Sequence, residues 1–506
     1  MEKTVQIYYT SDTHGHIFPV NYASNCPEHS GLLNLAAQVE KGGNTLVLDG
    51  GDSLQGTPLT QYYLEHRDQW PVHPVAAAFN AMGLDYFTLG NHDFNFGYEA
   101  LRDYLWAMNG VCLCTNVEDL GGELRIRPWA VHTLANGLRV GITGVVTDFV
   151  NVWEQPQNLE RIRVTDAFQA ARATCAALRE QCDVCVCIYH GGFEEELETG
   201  RVLSDSGENL ACKIARELDF DLLLTGHQHM AVEGVNLSGT YAVQPPANAG
   251  QFLRITGQWN GRGTRFHSRL MPVGSKHQAE PYQSLLTLER AVQIWLDQPI
   301  GELAHPIPPE GKLEAAVHSS QVAALFNQVQ LAETGADFSC TSLGNDPVGL
   351  ASPVTMRGVT AAYLFANTLV VLEVTEEVLR QTLERCAAYF TLVDGQPQIS
   401  EEFLLPKVEH YNYDFYAGLS YTFDLRRPVG SRVIRLAKLD GSPLGGGTFR
   451  LCTSNYRATG TGGYEILREC PVLWRGGTEM PDLTARYIQT HSPMPQLHNA
   501  EMRVIW

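Results

Sequence analysis

The chain has 506 residues, 44% hydrophobic and 18% charged, with 46 glycines and 25 prolines. That is the make-up of a globular protein of two or three domains, and it excludes collagen-like and disordered chains; no apolar run approaches the roughly 18 residues of a membrane helix. The formal net charge of -20, unbroken by any basic run, excludes sequence-independent binding to long nucleic acid, so a phosphate-bearing substrate would need locally placed positive charge.

The N-terminus runs MEKTVQIYYTSDTHGH straight into an alternating strand, without the charged, apolar and small-residue regions of a signal peptide. The expected location is cytoplasmic, and a chain whose signal had been removed would read the same. Twelve cysteines are too few for a disulfide scaffold of this length, and VCLC (Cys112, Cys114) and VCVC (Cys185, Cys187) place several inside apolar runs. They read as reduced core residues. Cys182 and Cys185 have CxxC spacing, but no second CxxC exists to complete a zinc site.

From residue 1 to about 256, short apolar runs alternate with longer amphipathic stretches, the signature of stacked βα units. The runs are VQIYYT, NTLVLDG, YFTLG, GLRVGITGV, VCVCIYH and DLLLTGH, and nearly all end in Asp, Asn, His and Gly. The C-terminal ends of strands are where α/β folds place their chemistry, so the clusters are expected along one edge of one sheet. From Lys276 to Leu313 a helix over about 282–296 and the proline-rich HPIPPEGK form a connector. Beyond it, β-branched runs, a helix begun after Thr375 with Val378, Leu379, Leu383 and Cys386 on one face, and a terminal RVIW strand predict a second α/β domain. The expected division is 1–275, connector 276–313, and 314–506.

Five polar clusters carry the chemistry: Asp12 and His14 in SDTHGH, Asp52 in DGGDSLQG, Asn91 and His92 in GNHDFNFG, His190 in YHGG, and His227 and His229 in GHQHM. Asp12, Asp52 and Asn91 fall at intervals of about 40 residues, the length of a crossover unit with generous loops. Two carboxylates, one amide and four imidazoles form a mixed nitrogen and oxygen set that suits Mn²⁺, Fe, Co²⁺ or Zn²⁺ and is too nitrogen-rich for Ca²⁺. Seven donors are too many for one such ion. With one bridging carboxylate they suit two ions about 3.5–4 Å apart, as used to clamp the attacking and leaving oxygens of phosphoryl transfer. Glycines flanking the donors allow sharp strand-to-loop turns.

The ordered set DxH, GDxxxG, GNHD, H and GHxH over about residues 5–250 resembles the calcineurin-like metallophosphoesterases. ANTLVVLEVT, GLSYTFDL and SNYRATGTGGY resemble the 5′-nucleotidase C-terminal domain. Together they resemble the two-domain 5′-nucleotidase family, with a layered α/β/β/α sandwich followed by a second α/β domain. The resemblance implies two divalent ions, manganese favoured among Mn, Zn, Fe and Co. Asp12, His14 and His229 would hold one, Asn91, His190 and His227 the other, and Asp52 would bridge. It also implies His92 as the catalytic histidine and an orienting Asp three residues later, where this chain has Asn95.

For the substrate it implies a base held between aromatic rings, Tyr456 and one of Tyr411 and Tyr413; Arg357, in the same domain, is a substrate-contact candidate with a surface role as the alternative. Two features depart from the 5′-nucleotidase pattern: Gly462 stands where NFxATGGDGY carries a ribose-binding Asp, and TSLGNDPVG lacks the expected arginine. GNHxFNxG and YNYD are closer to the 2′,3′-cyclic-nucleotide 2′-phosphodiesterase/3′-nucleotidase branch. The expected activity is hydrolysis of such small nucleotides, with 5′-nucleotidase or UDP-sugar hydrolase as the alternative and a non-catalytic nucleotide-binding protein as the remote one. No long nucleic acid or membrane partner is expected.

Overall fold

A computed structural model describes residues 2–203, 207–277, 279–365, 367–404, 408–495, 497 and 502–506. It divides into two compact units, Met1–Gln293 and Ile294–Trp506.

In the first unit every apolar run named above forms a strand. The strands are β1 (Lys3–Thr10), β2 (Thr45–Asp49), β3 (Tyr86–Phe87), β4 (Val111–Leu113), β5 (Ile126–Arg127), β6 (Trp129–Thr133) and β7 (Arg139–Val146). They continue with β8 (Val184–His190), β9 (Leu222–Thr225), β10 (Val232–Leu237), β11 (Thr240–Gln244), β12 (Gln251–Trp259) and β13 (Thr264–Pro272). They build two sheets rather than one, ordered β13-β12-β1-β2-β3-β4-β5 and β10-β11-β9-β8-β7-β6. The first three polar clusters therefore belong to one sheet and the last two to the other, correcting the single-edge expectation. Within each sheet the strands that lead into these clusters run parallel, so their C-terminal ends lie side by side.

The two sheets share one core. Ile7, Leu46 and Leu48 from the first pack in a single buried cluster with Ile142, Val186, Ile188 and Leu224 from the second. Alternation in β8 sends Val184, Val186 and Ile188 into that cluster. Cys185, Cys187 and Tyr189 turn to the opposite face, packing with Phe168, Ala171, Cys175 and Leu178 of helix α1 (Ala167–Arg179). The VCVC cysteines thus fill a helix-on-sheet layer, and all twelve thiols are free.

Helix α2 (Ala279–Asp297) contains the expected connector helix and spans the division between units. The second unit contains α3 (Gln321–Thr334), β14 (Phe338–Ser342), β15 (Leu369–Thr375), α4 (Glu376–Ala387), β16 (Asp414–Ala417), β17 (Leu419–Asp424), β18 (Val433–Lys438), β19 (Thr448–Ser454), β20 (Val472–Arg475) and β21 (Met502–Ile505). Five strands form one sheet, β16-β14-β19-β15-β20, and three form another, β18-β17-β21. Helix α4 starts where expected: the Thr375 side chain caps it by accepting from the Val378 N–H, and Leu379, Leu383 and Cys386 are buried.

Candidate active site

The polar clusters sit at the C-terminal ends of β1, β2, β3, β8 and β9, His190 as the last residue of β8 and the rest on the loops that follow, and hydrogen bonds from backbone N–H groups lace those loops together. Asp12 N–H donates to Gly51 O (2.9 Å), His14 N–H to Asp52 O (2.9 Å), and His227 N–H to Asp12 Oδ1 (3.0 Å). Asp93, to which the sequence assigned no role, is the strongest clamp. Its buried carboxylate accepts from the N–H groups of Gly90, Asp52, Ser53 and Leu54, joining the loop after β2 to the one after β3. Gly90 is required by that approach, because a Cβ there would lie 2.1 Å from Asp52 Oδ1. Gly51 has φ of 89°, where other residues are strained.

Two groups of donors result: Asp12, His14 and His229, and Asp52, His190 and His227, the donor atoms of each lying within 4.8 Å of one another. Asn91 joins the second, its Oδ1 standing 2.9 Å from His227 Nδ1 and 3.2 Å from His190 Nε2. Asp52 falls in the second group, with Oδ2 3.2 Å from His190 Nε2 and Oδ1 accepting from the His92 N–H at 2.7 Å.

The remaining hydrogen bonds of the imidazoles set which nitrogen faces inward. His14 Nδ1 donates to Gln55 O (2.9 Å), His190 Nδ1 to Gly50 O (2.7 Å), and His227 Nε2 lies 3.0 Å from Glu208 Oε1. Lone pairs of His14 Nε2, His190 Nε2 and His227 Nδ1 are thereby turned towards carboxylate, amide or imidazole acceptors. Such convergence is repulsive unless a proton or a metal cation lies between the donors, and the donor set, mixed nitrogen and oxygen in two groups, fits two divalent ions.

Among the bare side chains a proton on His190 takes the place of a cation beside Asp52. Burial pushes the Asp52 carboxyl up, but the His190 and His92 charges outweigh it and hold it well below the usual range. Burial likewise raises Asp12, and the His229 hydrogen bond and His190 leave it lowered. His190 resists protonation through burial, yet Asp52 brings it up to about 10; His14, dominated by burial, falls to about 4. Trp153 stacks on His227 with ring centroids 5.3 Å apart, a second wall no motif announced. His92 lies beside the first group, its ring centroid 5.6 Å from that of His14, and its Nδ1 is 2.8 Å from Asn95 Oδ1.

In the second unit the substrate-binding candidates part company. Tyr413 is fully buried, its ring among Tyr389, Phe390 and Phe415 and its hydroxyl donating to Ala316 O (3.0 Å). It is a core residue, which corrects its place among the base-binding candidates. Tyr411 is half-buried, with Phe365 edge-on at 6.1 Å, and Tyr456 is 37% exposed. Arg357 is held by Asp297, Nε to Oδ1 2.6 Å.

Arg457, absent from the candidates, ties the two tyrosine-bearing loops together. It pairs with Asp414 through two bonds (2.8 and 2.9 Å) and donates to Thr461 O and Tyr411 O. Gly462 lies against it: with φ of 81°, its Cβ would fall 2.2 Å from Asn412 Oδ1 and 2.5 Å from Arg457 Nη1.

Residues 5–231 match the calcineurin-like phosphoesterase family model and residues 299–469 the 5′-nucleotidase C-terminal domain. The trifunctional nucleotide phosphoesterase protein YfkN of Bacillus subtilis is 24% identical over 96% of this chain, which spans 38% of that longer relative. The 2′,3′-cyclic-nucleotide 2′-phosphodiesterase/3′-nucleotidase of Haemophilus influenzae is 23% identical over 96% of this chain and 85% of its own. A Staphylococcus aureus structure described as a 5′-nucleotidase superposes over 100% of both chains with a TM-score of 0.83 and 29% identity. The chain therefore belongs to the two-domain 5′-nucleotidase family of hydrolases, a calcineurin-like phosphoesterase domain followed by a 5′-nucleotidase C-terminal domain.

Proposed function

We propose that this hydrolase acts on small nucleotides, opening 2′,3′-cyclic nucleotides and then removing the remaining 3′-phosphate. The observation that carries the chemistry is the pair of three-donor groups with His92 beside them. Bound there, divalent ions supply Lewis acidity and stabilise negative charge on the phosphoryl oxygens. Asp12, His14 and His229 would hold one, and Asn91, His190 and His227 the other, with Asp52 shared; Mn²⁺ is the first ion to test.

His92 meets charge developing on the phosphate or on the departing oxygen, as a general acid or a fixed dipole. Its backbone N–H is committed to Asp52 and its Nδ1 to Asn95, so the ring is held from two sides. Tyr411 and Tyr456 would stack the base, worth about 1–3 kcal/mol per base and tolerant of its identity.

The choice of ester rests on Gly462. A carboxylate there would grip free 2′ and 3′ hydroxyls and repel a phosphate on those oxygens, and this chain has neither the carboxylate nor room for one. The test is phosphate release by the Mn²⁺-supplemented protein from 2′,3′-cyclic AMP, 3′-AMP, 5′-AMP and UDP-glucose. Added phosphomonoesterase in the cyclic and UDP-glucose assays reveals the first cleavage alone. Preference for the first two substrates is expected; preference for 5′-AMP or UDP-glucose overturns the assignment of the ester and leaves the metal chemistry standing.

A further inference from the structure

The family resemblance calls for a carboxylate behind the catalytic histidine, and Asn95 cannot provide one. The structure holds a carboxylate one residue further out. Asn95 Nδ2 donates to Glu154 Oε2 at 2.7 Å, while Asn95 Oδ1 faces His92 Nδ1 at 2.8 Å. Glu154 Oε1 is fixed by the Gln155 N–H (2.7 Å) and by Asn158 Nδ2 (2.8 Å), which also reaches Asn95 O (3.0 Å). The segment bearing Glu154 is anchored to the metal-site candidates as well, since the preceding residue, Trp153, stacks on His227.

The chemistry of these contacts has one consistent solution. The Glu154 carboxylate can only accept, so the Asn95 group facing it must be the NH₂. The Asn95 carbonyl is then the atom that meets His92, and an oxygen without a proton can only accept. His92 Nδ1 must carry the hydrogen, leaving Nε2 as the ring nitrogen outside the relay.

We propose that Glu154 is a positioning residue for His92, acting through Asn95: it fixes the amide orientation and thereby the tautomer and direction of the imidazole. This rests on the phosphoester-hydrolase reading above. In Glu154→Gln, one amide cannot accept on both sides. If its oxygen stays with Gln155 and Asn158, its NH₂ faces Asn95, whose amide turns over and presents a donor to His92. In Asn95→Asp, two carboxylates confront each other at the 2.7 Å contact. In the double variant the new amide at position 154 donates to the new carboxylate at position 95, which in turn accepts from His92.

The experiment measures kcat and KM on bis(4-nitrophenyl) phosphate with Mn²⁺ for wild type, Glu154→Gln, Asn95→Asp and the double variant, with thermal unfolding as the folding control. Each single variant should lose kcat by about tenfold, the scale for partners that orient site residues, with KM little changed. The double variant should recover to within about threefold of wild type. Ring ¹⁵N shifts of histidine-labelled, metal-free protein at alkaline pH, with His92 assigned through His92→Gln, supply a readout independent of turnover. They should show the Nδ1–H tautomer in wild type and its loss in Glu154→Gln. An inactive wild type refutes the hydrolase reading and leaves the tautomer result to judge the relay. An active wild type with Glu154→Gln within twofold, or a double variant no better than the singles, overturns the relay.

Discussion

Replacing Arg457 with methionine isolates the ion pair beneath the tyrosine-bearing loops. Both side chains are 2% exposed, and the guanidinium makes two hydrogen bonds to Asp414 and one each to Thr461 O and Tyr411 O. Burial opposes the charged guanidinium, but the Asp414 carboxylate outweighs it and holds its pKa above the ordinary value. Methionine keeps most of the apolar stem packed near Tyr464, whose ring lies 4.1 Å below the guanidinium, and strands the carboxylate. Breaking one side of a buried pair costs about 3–5 kcal/mol. For a unit of this size, with a urea slope of about 2 kcal/mol/M, the unfolding midpoint should fall by about 2 M. Asp414→Asn added to Arg457→Met removes the stranded charge, so the double variant should be more stable than Arg457→Met alone. Fluorescence of Trp295, Trp474 and Trp506 follows the second unit if the tryptophans of the first are replaced by phenylalanine. A midpoint shift for Arg457→Met below about 0.3 M would refute the assignment of this pair as the brace of the loops.

Gly462→Asp should not convert the protein into a 5′-nucleotidase, although the family pattern has Asp there: the positive φ and the Asn412 and Arg457 contacts predict a lower melting temperature and lost turnover on all four esters. A gain in 5′-AMP hydrolysis with unchanged stability would show that the loop opens. Asp93→Asn places an NH₂ against backbone donors that the carboxylate now accepts, costing about 1–3 kcal/mol and loosening the Asp52 loop. Metal analysis by mass spectrometry should then find fewer than two ions per chain after Mn²⁺ loading and gel filtration. His73 gives a pH signature: burial depresses its ring from 6.5 to about 3, and its Nε2 has no hydrogen-bond partner among the described residues. Between those values the unfolded chain binds a proton that the folded chain refuses, so this stability is complete above about pH 6.5 and is lost as pH falls towards 3. His73→Gln should flatten the slope of unfolding free energy against pH in that window by up to one proton, and identical slopes for the two proteins would reject it.

Much of the first unit was legible because strands that lead into the polar clusters, β2, β8 and β9 above all, are buried on both faces. A run such as VCVCIYH has no polar alternation to confuse it with a surface helix, and the polar residues begin where the strand ends. The same property hid the division into two sheets: a doubly buried strand reads alike whichever sheet it joins, and the switch passes through short strands such as β4 and β5. In YNYD, two tyrosines two apart were equivalent only if extended. Residues His410–Asn412 instead form a 3₁₀ turn, which leaves Tyr411 half-buried and sends Tyr413 into the core.

Asp93, Glu154, Glu208 and Arg457 could not be found by spacing, because each is a charged residue in a loop or a single helical turn, with partners that come near only when the chain folds. Backbone strain was equally invisible. Asp12, His14, Asp52, His227 and His229, five of the proposed metal ligands, all adopt positive φ, between 47° and 71°. Glycine would relax any of these turns, yet it would also delete the donor. The fold keeps the strained residue at each position, so donor chemistry and local strain fall on the same side chains. Packing gives no reason for that coincidence, whereas a requirement to aim five donors from sharp strand-to-loop turns at two small volumes does.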